Sequence, residues 1–178
     1  MRTNSWKTVL ILAISWLGML LGATPAAAQY WPSGYSYRST ITIDHTKVPN
    51  TDQTNFPVLV SGTFSDLATV ANGGKVTSAN GYDIIFTSDA NGLNQLPFEQ
   101  ESYNPSTGAI VYWVKLPTAS HTADTVFYMF YGNSSIVADL STKTAVWDRT
   151  ILGSGTPEKA QGIFVTLLRT TTLLPQHH

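Results

Sequence analysis

The chain has 178 residues, ten basic and eleven acidic, with a net charge near −1 and no cysteine. Charges this few and this evenly spread exclude the concentrated basic face that nucleic-acid binding needs. The missing cysteines exclude disulfides and thiolate metal sites, so the fold must rest on its packed core.

Residues 1–28 have the three-part layout of a secretory signal peptide. Arg2 and Lys7 form a positive start with no acid, and Val9 to Ala23 is apolar apart from Ser15. Ala26 and Ala28 occupy the −3 and −1 positions before Gln29, with the helix-breaking Pro25 just upstream. A membrane span needs about 20 apolar residues, more than this run supplies. Cleavage is therefore expected, giving a secreted or cell-surface product. Membrane contact is expected only through the signal segment if it stays uncleaved. Without Arg2 and Lys7, eight basic residues face eleven acids, near −3.

Beyond residue 28 short β-branched and aromatic runs recur between Gly, Asn, Asp and Pro clusters, the pattern of an all-β domain. Tyr37 to Ile43 is the first, with Tyr37, Ser39, Ile41 and Ile43 on one face. Phe56 to Val60 follows, and its Pro57 cannot donate to a ladder, which suits a strand start or an edge. A short helical turn is expected near Ser65–Val70. Asp83 to Thr87 and Leu96 to Glu101 are the next strands, with Ser88 to Gly92 as an Asn-Gly turn between them. Asn104 to Gly108 then forms a hairpin loop leading to Ala109–Leu116, and Thr125–Tyr131 closes the set. These last two strands are apolar on both faces, so they are central strands covered from two sides. No helix is long enough to supply a layer, and a second sheet must do so. The predicted fold is an antiparallel β-sandwich of jelly-roll kind, spanning residues 29–148.

Candidate chemistry is sparse. Glu99 and Glu101 share a strand face at a spacing that a paired-carboxylate hydrolase could use, but a solvated strand face explains them as well. Asp89, Asn91 and Asn94, with Gly92 between, resemble an oxygen-rich calcium loop. The bidentate acid required at its twelfth position is missing, because Gln100 stands there. A structural calcium at these three residues competes with a plain Asn-Gly turn. His45 and His121 stand alone in loops, His177 and His178 end the chain, and no Gly-x-Ser-x-Gly elbow occurs. No catalytic residue is assigned. Aromatic residues are abundant, and flat rings with polar edges can serve as ligand platforms. Trp113 is the leading candidate, with Tyr112, Tyr131 and Asn133 beside it.

The order of pieces supplies one further lead. Trp31 with Tyr37-Arg38, Asn55 to Val60, Gly81 to Thr87, Leu96 to Glu99, Val111 to Pro117, Tyr131-Gly132-Asn133 and Val146-Trp147-Asp148 together resemble the domain of unknown function 2341 family. That resemblance implies an exported bacterial or archaeal domain, commonly followed by a laminin-G or concanavalin-like lectin sandwich, and brings no catalytic residues. It implies carbohydrate recognition or surface adhesion by association only. Relatives usually continue into the lectin-like domain after Trp147-Asp148. Residues 149–178 instead read as a poorly ordered tail, such as a truncated or frame-shifted frame leaves. The expected function is a non-catalytic extracellular binding or adhesion module for glycans or a cell-surface polymer. An inert structural spacer is the alternative, and a glycan-active hydrolase is a lesser one.

Overall fold

The computed structural model describes Trp31, residues 33–147 and a strand at residues 168–173. The signal segment and its cleavage point lie outside the described residues. Among the described residues no helix is long and apolar enough to cross a membrane.

Seven strands form two antiparallel sheets, packed face to face as a sandwich. They are β1 (Tyr37–Ile43), β2 (Gln53–Thr63), β3 (Ile85–Thr87), β4 (Phe98–Asn104), β5 (Ala109–Ala119), β6 (Thr125–Tyr131) and β7 (Leu168–Leu173). The first sheet has the order β3-β6-β1-β7 and the second β2-β5-β4. The all-β sandwich expected from the alternation is therefore present. A jelly roll has eight strands, and the described strands number seven.

Alternation decides which side chains meet. Ser39, Ile41 and Ile43 of β1 point inward with Phe127, Met129 and Tyr131 of β6, and all six are essentially inaccessible. From the second sheet come Val58 and Val60 of β2 with Ile110, Tyr112, Val114 and Leu116 of β5. Phe86 of β3 ties the layers together, its ring lying 5.3 Å from Tyr112, 5.7 Å from Phe98 and 6.4 Å from Phe127. Burying each of these large side chains stabilises the fold by about 1.5–3 kcal/mol. Pro57 lies on β2, an edge of its sheet, as its missing N–H requires.

Several strand limits differ from expectation: β3 begins at Ile85 and not at Asp83, and β4 runs Phe98–Asn104 and not Leu96–Glu101. β2 and β5 run on through polar residues at their ends, because ladder pairing continues from Gln53↔Ala119 to Thr63↔Ala109. The tail contributes a strand as well. β7 pairs antiparallel with β1 from Tyr37↔Leu173 to Thr42↔Leu168, so the sandwich does not close at Trp147. Without β7, the β1 edge would present unpaired backbone groups, and a Thr-rich segment of high strand propensity satisfies them. The remainder of residues 149–178 lies outside the described residues, as does any truncation or frame shift there.

The helical turn expected near Ser65 is present as two short 3₁₀ turns, Ser65–Leu67 and Val70–Asn72. One short helix, α1 (Lys143–Val146), lies against β4 and β5.

Candidate functional site

The predicted ligand residues separate across the molecule. Tyr112 is wholly inside the core, its hydroxyl donating to Gln100 Oε1 at 2.9 Å, and burial pushes that phenol well above its ordinary pKa. It has no access to a ligand, because alternation on β5 turns it toward the opposite sheet. Trp113 faces the other way, yet only 7% of it is exposed. The segment containing α1 crosses that outer face, and the Trp147 ring meets Trp113 edge-on at 5.2 Å. The Trp113 indole N–H donates to Glu101 at 2.6 Å and that of Trp147 donates to Glu99. Thr142 N–H bonds Phe98 O at 2.8 Å, and Lys115 Nζ reaches Ala145 O at 3.0 Å, which pins the segment down. Trp113 is therefore a covered ring and not an open platform. Glu99 and Glu101 do share a face, with a bulge between Gln100 and Ser102, but each is engaged with an indole instead of lining a cleft.

The Asp89 turn is organised from within. Its carboxylate accepts from the backbone N–H groups of Asn91 (2.9 Å), Leu93 (3.0 Å) and Asn94 (2.6 Å). Partial desolvation raises the Asp89 pKa, but the bonds from Asn94, Leu93 and Asn91 outweigh it and leave the group below its ordinary value. Both oxygens have backbone donors within the turn. Gly92, at φ 77°, takes the left-handed position expected of an Asn-Gly turn, and a Cβ there would lie 2.5 Å from Ser33 Oγ.

His45 and His121, isolated in sequence, are partnered in space. His45 comes from the loop after β1 and bonds Asp124 Oδ1 through Nδ1 at 2.7 Å. His121, from the β5–β6 loop that also holds Asp124, bonds Asp52 Oδ1 in the same way at 2.7 Å. Each histidine also donates its backbone N–H to the same oxygen. The result is two crossed stitches between two loops at one end of the sandwich. Asp44 lies close enough to His45 and Asp124 to share an ion with them. Its Oδ1 accepts from both Thr46 N–H and Thr46 Oγ1, the contacts of a local turn.

What remains is a cleft at the start of β1, about 590 Å³ in volume. Its construction begins with Asp83, a carboxylate with no solvent exposure. Oδ2 accepts from Thr77 N–H (2.8 Å), Thr77 Oγ1 (2.7 Å), Gly132 N–H (3.2 Å) and Asn133 N–H (3.3 Å), and Oδ1 accepts from Ser78 N–H (3.0 Å). Five donors from two loops thus satisfy one buried charge, the condition for such a group to be stable inside a protein. The charge acts on its neighbours too. Tyr103 is pushed up to about 12 by burial first and by Asp83 second.

The loops that Asp83 joins are two walls of the cleft, contributing Thr77 on one side and Gly132 and Asn133 on the other. Gly132 has φ 79°, and a Cβ there would lie 2.5 Å from Tyr37 Cδ2. Glycine is what lets the Tyr37 ring lie over this backbone. Tyr37 stacks on Tyr131 at 5.5 Å and 22°, and Lys75 Nζ lies 5.6 Å from the Tyr37 ring centre. Tyr131 is fully buried beneath and fixed by its hydroxyl donating to Asp66 at 2.6 Å. Of the predicted ligand residues, Asn133 alone lines the cleft, and Tyr131 supports it from below. Sequence reasoning placed Tyr37 on the core face of β1 and did not single out Lys75, Thr77 or Ser134. The available signal was Tyr131-Gly132-Asn133, a glycine set between an aromatic and an amide.

No family model matches this chain, and neither does any curated protein or solved structure.

Proposed function

We propose that this is an extracellular, non-catalytic binding module, and that the Tyr37 cleft is where it takes a hydroxyl-rich polymer such as a glycan. The observation that carries the reading is the lining: a half-buried aromatic ring surrounded by short polar side chains. Tyr37 offers a flat apolar surface, while Ser36, Thr77, Ser134 and Ser135 offer hydroxyls and Asn133 an amide. Sugar rings present just those two faces, an apolar C–H face to stack and an equatorial fringe of hydroxyls to hydrogen-bond. The described lining holds no carboxylate and no imidazole, the groups that most often move protons in hydrolysis. Export is part of the proposal and rests on the signal-like residues 1–28. The bacterial surface-adhesion setting rests on the resemblance alone.

The test is retardation of the domain in gels carrying a panel of plant, bacterial and animal polysaccharides. At least one polymer is expected to slow the native protein. Tyr37→Ala should weaken that binding about ten-fold, the scale of one lost aromatic contact. Ser134→Trp fills the cleft from an exposed position without disturbing the core, and should abolish it. A panel with no retardation leaves the inert spacer as the reading.

A further inference from the structure

We infer that the cleft selects carboxylate-bearing saccharides, with Lys75 as the residue that reads the acid; this rests on the glycan reading and narrows it. Lys75 brings three N–H donors and no acceptor, and it carries the one formal charge in the described lining. Among the described residues no carboxylate pairs with it. Asn133 uses its acceptor Oδ1 on the Ser135 N–H at 3.0 Å, which leaves its NH₂ group for a ligand. Thr77 Oγ1 donates to Asp83 and so only accepts within the cleft, while the serine hydroxyls give as readily as they take.

The two nearby carboxylates are already engaged. Asp83 receives five donors from the walls themselves, and Asp66 receives the Tyr131 hydroxyl. The Lys75 charge is the one feature of the lining that a neutral sugar does not answer. A uronate supplies acceptors in excess. Position completes the case: Lys75 Nζ sits 5.6 Å from the Tyr37 ring centre. The ammonium lies over the ring, whose partner in stacking is Tyr131, so a saccharide that packs against the exposed part of Tyr37 meets the ammonium there. A sulfate carries the same kind of negative charge, and the sulfated polymers in the experiment separate the two.

The experiment compares polyuronates, their carboxyl-reduced neutral counterparts and sulfated polysaccharides as ligands in affinity gels, followed by titration with the best oligomer of each class. The native chain is expected to bind a polyuronate at least five-fold more tightly than its carboxyl-reduced form, with affinity falling as salt rises. Lys75→Gln should bring the two forms to equal affinity, and Lys75→Arg should keep most of the difference. Equal binding of acid and reduced forms by the native chain, or an unchanged preference in Lys75→Gln, overturns the inference and leaves the glycan reading standing. Tighter binding of sulfated polymers overturns the carboxylate assignment in favour of sulfate. Binding to none of the three classes overturns the glycan reading itself.

Discussion

Trp113 on β5 and Tyr37 on β1 are both aromatic residues at the edge of the core, and their surroundings differ in one respect. Around Trp113 the polar groups find one another: two indole N–H groups meet two glutamates, and a lysine reaches a backbone carbonyl. Around Tyr37 the charged group beneath is satisfied from the walls, Thr77 Oγ1 included, and the lining above keeps its serine side chains and the Lys75 ammonium clear of any carboxylate among the described residues. The first arrangement is a closed seam that adds stability. The second leaves hydrogen-bonding capacity available to something else. The contrast teaches that an aromatic count does not locate a binding surface. What locates it is whether nearby donors and acceptors have already been used.

The comparison can be broken from either side. The largest effect is expected at Asp83, because Asp83→Asn sets an NH₂ group against donors that surround the carboxylate. Loss of about 3–5 kcal/mol is expected in chemical denaturation, together with loss of any cleft ligand. A change below about 1 kcal/mol would show that the two walls do not depend on it. Next is Trp147→Ala, which uncovers Trp113 and removes one partner of Glu99. About 2 kcal/mol of stability should go, and tryptophan emission should shift to the red, while cleft binding persists. Lost cleft binding in that variant would mean that the two regions are coupled.

The smallest effect concerns the crossed His–Asp stitches. Asp52 lies below the ordinary aspartate pKa because the His121 backbone N–H and then its ring bond the carboxylate. Asp124 is lowered by the His45 ring first and its backbone N–H second. A carboxylate depressed in the folded state contributes stability above its unfolded pKa of about 3.9. That contribution fades as the pH falls through the lower folded value. Unfolding temperature should therefore drop below about pH 4, and Asp52→Asn with Asp124→Asn should shrink that drop. A drop of unchanged size in the double variant would show that the stitches do not contribute to it.

Much of the sandwich is legible in the residues, and the legible part is where chemistry alternates sharply. β1 and β6 are bounded as expected, since Tyr37–Ile43 and Thr125–Tyr131 switch between apolar and polar side chains or are apolar on both faces. β2, β4 and β5 extend past their expected ends because ladder bonds, which any residue with an N–H can make, continue through Gln53-Thr54, Ser102 to Asn104 and Thr118-Ala119. β7 is not legible, since Leu168 to Leu173 joins a sheet only once β1 offers it an edge. The cleft is less legible still. Asp83 looks like one acid among several until Thr77, Ser78, Gly132 and Asn133 converge on it, and their approach is a property of the folded chain. Tyr37 fits a core strand by its pattern, and only the missing Cβ of Gly132 lets it become a cleft wall.

The pairing of β1 with β6 and β7 has a consequence for how the domain comes to be made. β1 has both its neighbours far along the chain, in the registers Tyr37↔Tyr131 and Tyr37↔Leu173. Such a domain has high contact order, and loop closure across nearly its whole length must precede the contacts that reward it. β1 therefore cannot complete its pairing until residues 125–131 and 168–173 have been made, although the β2-β5-β4 sheet lies wholly within residues 53–119. Until then Ile41, Ile43 and the β1 edge lack the partners that they have in the folded domain.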